Sequence, residues 1–167
     1  LVAAWRQLVQ EGRDMRLRVA GKPLDAGYLR GVQRTIARAG LSERCEFLGE
    51  VELAPKIAFL HGCSAFAVPS RFAESRGIAV MEAMAAGVPV VAPRAGIYPE
   101  LFELVGGGLL HEPGDAASLA AGLRQVMDDP AGADAMAAQA VAGLQTHCSP
   151  EGTAARLEKL LEGLLQA

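Results

Sequence analysis

The chain has 167 residues, which is enough for one domain with a sizeable hydrophobic core. Hydrophobic residues make up 51% of the sequence and charged residues 21%, and this balance excludes a disordered chain. The net charge of -3 gives no support for nucleic acid as a partner, and no uncharged apolar run reaches the roughly 18 residues of a membrane-spanning helix.

The cysteines and histidines are too sparse for a disulfide framework or a metal site. Cys45, Cys63 and Cys148 are widely spaced and odd in number, which favours free thiols in a reducing compartment. We therefore expect a cytoplasmic protein. His61 and His147 each lie near only one cysteine, so we expect no bound metal.

Apolar periodicity, glycines and prolines divide the chain into alternating helices and strands. In chain order, the pattern predicts a helix at 1–10, a strand at 15–21, a helix at 25–39, a strand at 45–49, a helix at 52–62, a strand at 64–69, a helix at 77–86, a strand at 89–93, a short helix at 99–104, a strand at 107–113, and helices at 115–127, 131–145 and from 149 onward. This alternation predicts the α/β class, with a Rossmann-like, doubly wound, mostly parallel sheet in a single domain.

The loop at 70–76 is a candidate anion site. It leaves the end of one predicted strand and leads into the helix at 77–86. Ligands of parallel sheets bind beyond the carboxyl ends of the strands, and a helix N-terminus offers free N–H groups and a positive dipole end. We therefore expect a phosphate at this loop.

Glu82 is the only charged residue between Gly77 and Gly87. Its neighbours are isoleucine, alanine, valine and methionine, so the pattern predicts a helix buried on all sides. A buried carboxylate is costly unless a hydrogen-bond partner satisfies it. We therefore expect either the protein or a ligand to supply a partner for Glu82.

The ordered motif around this helix is similar to that of one family. A strand ends in Pro69-Ser70, Glu74 and Glu82 follow with seven residues between them, and EAMAAGVPVV begins at Glu82. This arrangement resembles the donor-binding, C-terminal half of the retaining group 1 (family 4) glycosyltransferases, which have the GT-B fold. Further stretches resemble the same family: FLGEV at 47–51, GIYPEL at 96–101 and GGLLHEPGD at 107–115.

The resemblance implies a role for each residue of the motif. Glu82 would accept hydrogen bonds from the ribose hydroxyls of a nucleotide sugar, and Glu74, the expected catalytic residue, would bind hydroxyls of the donor sugar. The backbone N–H groups of Arg76, Gly77 and Ile78 would contact the sugar and the phosphates, and a glycine at 77 would permit close approach. The other donor-binding residues implied are Ser70 and, near the nucleotide base, Gly49, Glu50 and Val51. No cofactor is expected beyond the nucleotide diphosphate sugar itself.

Two departures from the family pattern affect these expectations. Arg76 stands where the family more often has an aromatic residue, so only its backbone role is carried over. The family's Arg and Lys that neutralise the diphosphate belong to a segment before the one that opens this chain at Leu1. Lys22 lies at a predicted strand end, and we expect it to be a solvated loop lysine rather than a substitute.

We therefore expect residues 1–167 to form one nucleotide-sugar-binding domain, a fragment of a longer glycosyltransferase that moves a hexosyl unit to an acceptor. The acceptor, a glycan or a lipid, would be bound by the missing N-terminal domain, which leaves room for peripheral membrane association. The resemblance also implies a missing first strand between 15–21 and 64–69. We expect these two strands to pair directly, and the isolated chain to be marginally stable and inactive.

Two alternatives remain at this stage. A nucleotide-sugar epimerase of GT-B fold shares the architecture, although the two spaced glutamates favour transfer. A non-catalytic Rossmann-like interaction module would share the fold and ignore nucleotides.

The final helix carries a narrow leucine stripe. Charged residues cover its other face, and in the resembled family the last helix commonly packs toward the other domain. We expect this helix to be a docking element, with packing on its own domain as the alternative. The stripe consists of Leu157, Leu160, Leu161, Leu164 and Leu165.

Overall fold

The computed structural model describes residues 1–165 of the chain. Each predicted helix and strand is present, with small shifts at the ends and one strand, β3, reduced to two residues. The helices are α1 (Val2–Gln10), α2 (Ala26–Arg38), α3 (Leu53–His61), α4 (Ile78–Ala85), α5 (Tyr98–Val105), α6 (Ala116–Asp128), α7 (Pro130–His147) and α8 (Pro150–Leu165). The strands are β1 (Leu17–Ala20), β2 (Cys45–Gly49), β3 (Phe66–Ala67), β4 (Val90–Pro93) and β5 (Leu109–His111).

Aspartate side chains begin α2 and α6, as the sequence predicts. The Asp25 carboxylate accepts hydrogen bonds from the N–H groups of Gly27 and Tyr28, at 2.6 and 3.0 Å. The Asp115 carboxylate accepts from the second and third N–H groups of α6 in the same way. These caps satisfy donors that have no partner inside a helix, so each helix starts at a residue that the sequence identifies.

The predicted α/β class is confirmed. Strand β1 pairs with β2, β3 pairs with β4, and β4 pairs with β5, and every pairing is parallel. β4 has a neighbour on both edges and is buried along its whole length. The largest buried cluster surrounds it with side chains from α4, α5 and α7, including Met84, Phe102 and Leu144.

The expected direct pairing of β1 with β3 is wrong. Within residues 1–165 the strands form two sheets, one of β1 and β2 and one of β3, β4 and β5. Helix α1 packs on both. Its Ala4 and Leu8 share a buried cluster with Val91, whereas its Trp5 shares another with Leu17. β1 and β3 meet through side chains rather than backbone hydrogen bonds, since Ala20 of β1 and Phe66 of β3 pack against the same hydrophobic cluster.

Strand β3 is shorter and less buried than the sequence predicts. Only Phe66 and Ala67 pair with β4, opposite Val90 and Val91, and both are half-buried. A strand with a neighbour on one edge keeps its other edge open, which limits both its length and its burial.

The leucine stripe of α8 lies outside the core. No residue of α8 is buried, and the five leucines of the stripe are between 51% and 87% exposed. The structure thus does not show this stripe packed on its own domain, and the docking role stays a prediction. None of the helices within residues 1–165 combines the length and apolar character needed to cross a membrane.

Candidate functional site

A cleft of 270 Å³ lies beyond the carboxyl ends of β1 and β2. Residues that follow the two strands form one wall, and the facing sides of α3 and α4 form the other. The lining includes Glu50 and Val51 after β2, Lys56 on α3 and Glu82 on α4. The cleft occupies the position where ligands bind in open α/β sheets.

Glu82 has a protein partner in this cleft. Its Oε1 accepts a hydrogen bond from the Lys56 ammonium, with 2.5 Å between Nζ and Oε1. The prediction that this helix is buried on all sides is wrong, because the Glu82 side chain is 36% exposed. The reason is that α4 is only partly covered: Ile78 and Ala85 lie on an exposed face although their side chains are apolar.

Gly77 begins α4 in the left-handed region, with φ at 63°. A Cβ at this position would lie 3.1 Å from Ile97 Cγ2 and 3.2 Å from Tyr98 Cε1. The glycine is therefore required by the backbone conformation and by packing against α5, in addition to any approach of a ligand. No side chain caps the first turn of α4, and Val80 and Met81 donate their N–H groups to the Gly77 carbonyl oxygen, so the N–H groups that an anion could meet are those at the very start of the helix.

The Glu74 segment packs against the loop that follows β4. The Ile97 N–H donates a hydrogen bond of 2.8 Å to the Glu74 carbonyl, and a Cβ at Gly96 would collide with the Glu74 main chain. The Glu74 side chain is exposed. Burial, and then the nearby Glu74 charge, raise the pKa of Tyr98 at the start of α5.

Ser70 serves the loop rather than the cleft. Its hydroxyl accepts a hydrogen bond of 3.1 Å from the Phe72 N–H and donates one of 2.9 Å to the Phe72 carbonyl. The buried ring of His111 lies beside the strand end that precedes this loop, with Nε2 3.4 Å from the Val68 carbonyl oxygen. Together these contacts fix the point at which the chain leaves β3.

The predicted site residues therefore fall into two groups. Glu50, Val51 and Glu82 line the cleft, and Gly49 ends β2 just before it, with its carbonyl accepting from the Gly21 N–H at 2.7 Å. The second group lies along the 70–76 loop and the start of α4, outside the cleft lining: Ser70, Glu74, Arg76, Gly77 and Ile78.

Sequence reasoning missed Lys56. It also treated Lys22 as a solvated loop residue, whereas Lys22, although exposed, lines the cleft. A signal for Lys56 was present, because it is the only lysine or arginine from Cys45 to Ser70, within an otherwise apolar helix. The same reasoning that singled out Glu82 applies to it. Within residues 1–165, no group of three or more potential ligands could hold a metal ion.

Comparison with known sequences identifies one family. Residues 1–142 match the family described as Glycosyl transferases group 1. The chain is 31% identical over 168 residues to a GDP-mannose-dependent monoacylated alpha-(1-6)-phosphatidylinositol monomannoside mannosyltransferase of Corynebacterium glutamicum, covering 97% of this chain and 42% of the relative. It is 35% identical over 130 residues to a 2-deoxystreptamine glucosyltransferase of Streptomyces kanamyceticus, covering 78% of this chain and 33% of that relative.

Solved structures show the same fold. The crystal structure of Anabaena Alr3699/HepE in complex with UDP superposes with a TM-score of 0.81 at 27% identity, covering 100% of this chain and 44% of that chain. A glycosyltransferase from Rickettsia africae superposes with a TM-score of 0.83 at 21% identity, covering 99% of this chain and 43% of the other. The chain thus spans less than half the length of each of these four proteins.

Proposed function

Because this chain belongs to the group 1 glycosyltransferases, we propose that it is the domain that binds the nucleotide diphosphate sugar. The observation that carries the proposal is the position of Glu82 in a cleft beyond the carboxyl ends of β1 and β2. A carboxylate accepts hydrogen bonds only, and a ribose diol offers two hydroxyl donors. The complex of HepE with UDP supports a nucleoside diphosphate as the ligand class.

The other predicted residues are assigned along the donor. Gly49, Glu50 and Val51 lie near the base, on the β2 side of the cleft, and Ser70 shapes the donor loop. The N–H groups of Arg76, Gly77 and Ile78 meet the phosphates and the sugar, in keeping with the uncapped start of α4.

Glu74 acts on the sugar end in this proposal. Its side chain is exposed and outside the cleft lining, and its main-chain carbonyl accepts a hydrogen bond from the Ile97 N–H. The reaction is retaining transfer of a hexosyl unit to a glycan or lipid acceptor bound by another part of a longer protein. Negative charge develops on the leaving phosphate, and preorganised N–H donors lower that barrier without a metal or another cofactor.

We also assign the domain to residues 1–167 and to the cytoplasm. Its cysteines are free, and two of them, Cys45 and Cys63, have thiol pKa values raised by burial, which suits unreactive thiols in a reducing compartment. Peripheral association with a membrane through the acceptor is compatible with this location.

Titration of the 167-residue chain with UDP, GDP and ADP tests the proposal. At least one of these nucleotides should bind saturably. Calorimetry measures the binding or, if it is weak, NMR chemical-shift changes measure it up to millimolar nucleotide. Glu82→Gln should weaken binding by about 1–3 kcal/mol, and Glu103→Gln, on the exposed side of α5, should leave it unchanged.

Two outcomes would contradict the proposal. Equal affinity for the tightest-binding nucleotide and for its 2′,3′-dideoxy analogue would show that the site does not recognise the ribose hydroxyls. Failure of all three nucleotides to bind would indicate an interaction module instead.

A further inference from the structure

Lys56 and Glu82 are isolated opposite charges on two neighbouring apolar helices. Lys56 lies within LAPKIAFLH of α3, and Glu82 lies within IAVMEAMA of α4. Their side chains meet at 2.5 Å and are 31% and 36% exposed, so the pair is neither buried in the core nor fully solvated. Both residues line the cleft described above.

The ion pair leaves binding capacity on both groups. An ammonium has three hydrogen-bond donors, and a carboxylate has two acceptor oxygens. Within the part of the chain that the structure describes, Lys56 Nζ donates to Glu82 Oε1, and Glu82 Oε2 has no protein donor. Donors of Lys56 and an acceptor of Glu82 therefore remain side by side, facing one cleft.

A vicinal diol matches this arrangement. Each hydroxyl of a ribose is at once a donor and an acceptor, so full pairing requires a neighbouring acceptor and a neighbouring donor. Glu82 can supply only the acceptor. We propose that Lys56 is a second ribose-binding residue, whose ammonium donates to a hydroxyl oxygen of the diol while Glu82 accepts from the hydroxyl groups. This inference rests on the nucleotide-binding function proposed above.

Two other roles for Lys56 would produce different behaviour. If Lys56 only occupies Glu82 until a ligand displaces it, removing the lysine should tighten nucleotide binding. If Lys56 only attracts the diphosphate, removing it should weaken the nucleotide and its dideoxy analogue equally, because both carry the same phosphates. Only the ribose-binding role predicts that removing the lysine weakens the nucleotide that has the diol and leaves the affinity for the dideoxy analogue unchanged.

The test compares the affinities of UDP and GDP with those of their 2′,3′-dideoxy analogues. The variants are Lys56→Met, Lys56→Arg and Glu82→Gln in the 167-residue chain, each checked for folding by circular dichroism. Lys22→Met is the matched control, because Lys22 lines the same cleft and has no ion pair to Glu82. Lys22→Met should change the affinity for a nucleotide and the affinity for its dideoxy analogue by the same factor.

For the unsubstituted chain, we expect the ratio of the Kd of the dideoxy analogue to the Kd of the nucleotide to be about 10 to 100. Lys56→Met should reduce that ratio by about tenfold, and Lys56→Arg should restore part of it because the guanidinium retains charged donors. Combining Lys56→Met with Glu82→Gln should lower the ratio by less than the product of the single effects, since the two residues bind one diol.

The outcomes separate this inference from the proposed function. If the unsubstituted chain prefers the diol and Glu82→Gln removes the preference while Lys56→Met retains it, the role of Lys56 is wrong and the nucleotide site stands. Equal losses for both ligands, or tighter binding in Lys56→Met, would likewise overturn it. If the unsubstituted chain shows no preference for the diol, both proposals fail together.

Discussion

The main chain of Glu74 lies directly against Gly96. An added Cβ at Gly96 would collide with the Glu74 carbonyl oxygen and amide nitrogen, and Gly96 has a φ of 59°. The loop after β4 thus supports the segment that carries the proposed sugar-binding carboxylate. A glycine is required here both by the close approach and by the left-handed backbone.

We expect Gly96→Ala to destabilise the domain and to displace the Glu74 segment. Gly114 is a matched control, because its φ is 78° and a Cβ there would meet nothing within 4 Å. Gly114→Ala should therefore cost only the left-handed strain, about 1–2 kcal/mol. Gly96→Ala should cost clearly more in the free energy of unfolding, measured with denaturant. Equal costs would show that the Glu74 segment moves away freely.

Glu74→Ala should separate sugar chemistry from nucleotide binding. In a complete protein that contains this chain, we expect kcat/KM to fall about 10- to 100-fold, which is the scale of a hydrogen bond to a charged group. The affinity for a nucleoside diphosphate should stay nearly intact, because Glu74 lies outside the cleft that Glu82 lines. Glu103→Ala serves as the control carboxylate. A parallel loss of affinity would assign Glu74 to the organisation of the phosphate loop instead.

Ion pairs between the residues that follow α1 and helix α6 should make the stability depend on pH. Arg124 and Arg13 lower the pKa of Glu11 and Asp128, chiefly through side-chain hydrogen bonds of 2.7 Å and 2.6 Å. Because these pKa values are lower in the folded state, the stabilisation is complete above the unfolded-state values. It is lost as the pH falls below about 4 and the carboxylates are protonated.

Chemical denaturation at pH 7 and pH 3 measures this contribution. The double variant Arg13→Met and Arg124→Met should be less stable than the unsubstituted chain at pH 7, and the difference should shrink at pH 3. Arg44→Met is the control, since it removes an ion pair whose partner, Asp14, is 94% exposed. A difference that is the same at both pH values would show that packing of the arginines, rather than their charge pairing, accounts for the effect.

Removing leucines from α8 should barely change the stability of this chain. Leu160 and Leu164 are 67% and 74% exposed, so we expect each substitution to alanine to change the free energy of unfolding by less than about 0.5 kcal/mol. Leu144 on α7 is 9% exposed and belongs to the main core, so Leu144→Ala should cost about 2–5 kcal/mol. Thermal or denaturant unfolding measures the free energy of unfolding of the α8 variants and of Leu144→Ala. A large loss from the α8 variants would mean that the stripe packs on this domain in solution.

Local patterns in the sequence were sufficient to locate the helices and strands and to identify the family. Asp25 and Asp115 mark helix starts through bonds to N–H groups two and three residues away, so the information lies within one turn. The spacing of Glu74, Glu82 and the apolar residues between them is likewise contained in a short stretch of chain. Parallel pairing followed from the alternation of strands and helices.

Only the tertiary structure decided which residues meet. Lys56 and Glu82 are separated by 26 positions, and the packing of α3 beside α4 brings their charges together and leaves Glu82 partly exposed. The strands form two sheets, and α1 contributes side chains to one hydrophobic cluster with Val91 and to another with Leu17, contacts between distant parts of the chain that no local pattern contains. The exposure of the α8 leucines has the same origin, since an apolar stripe specifies a face to be covered and not the surface that covers it.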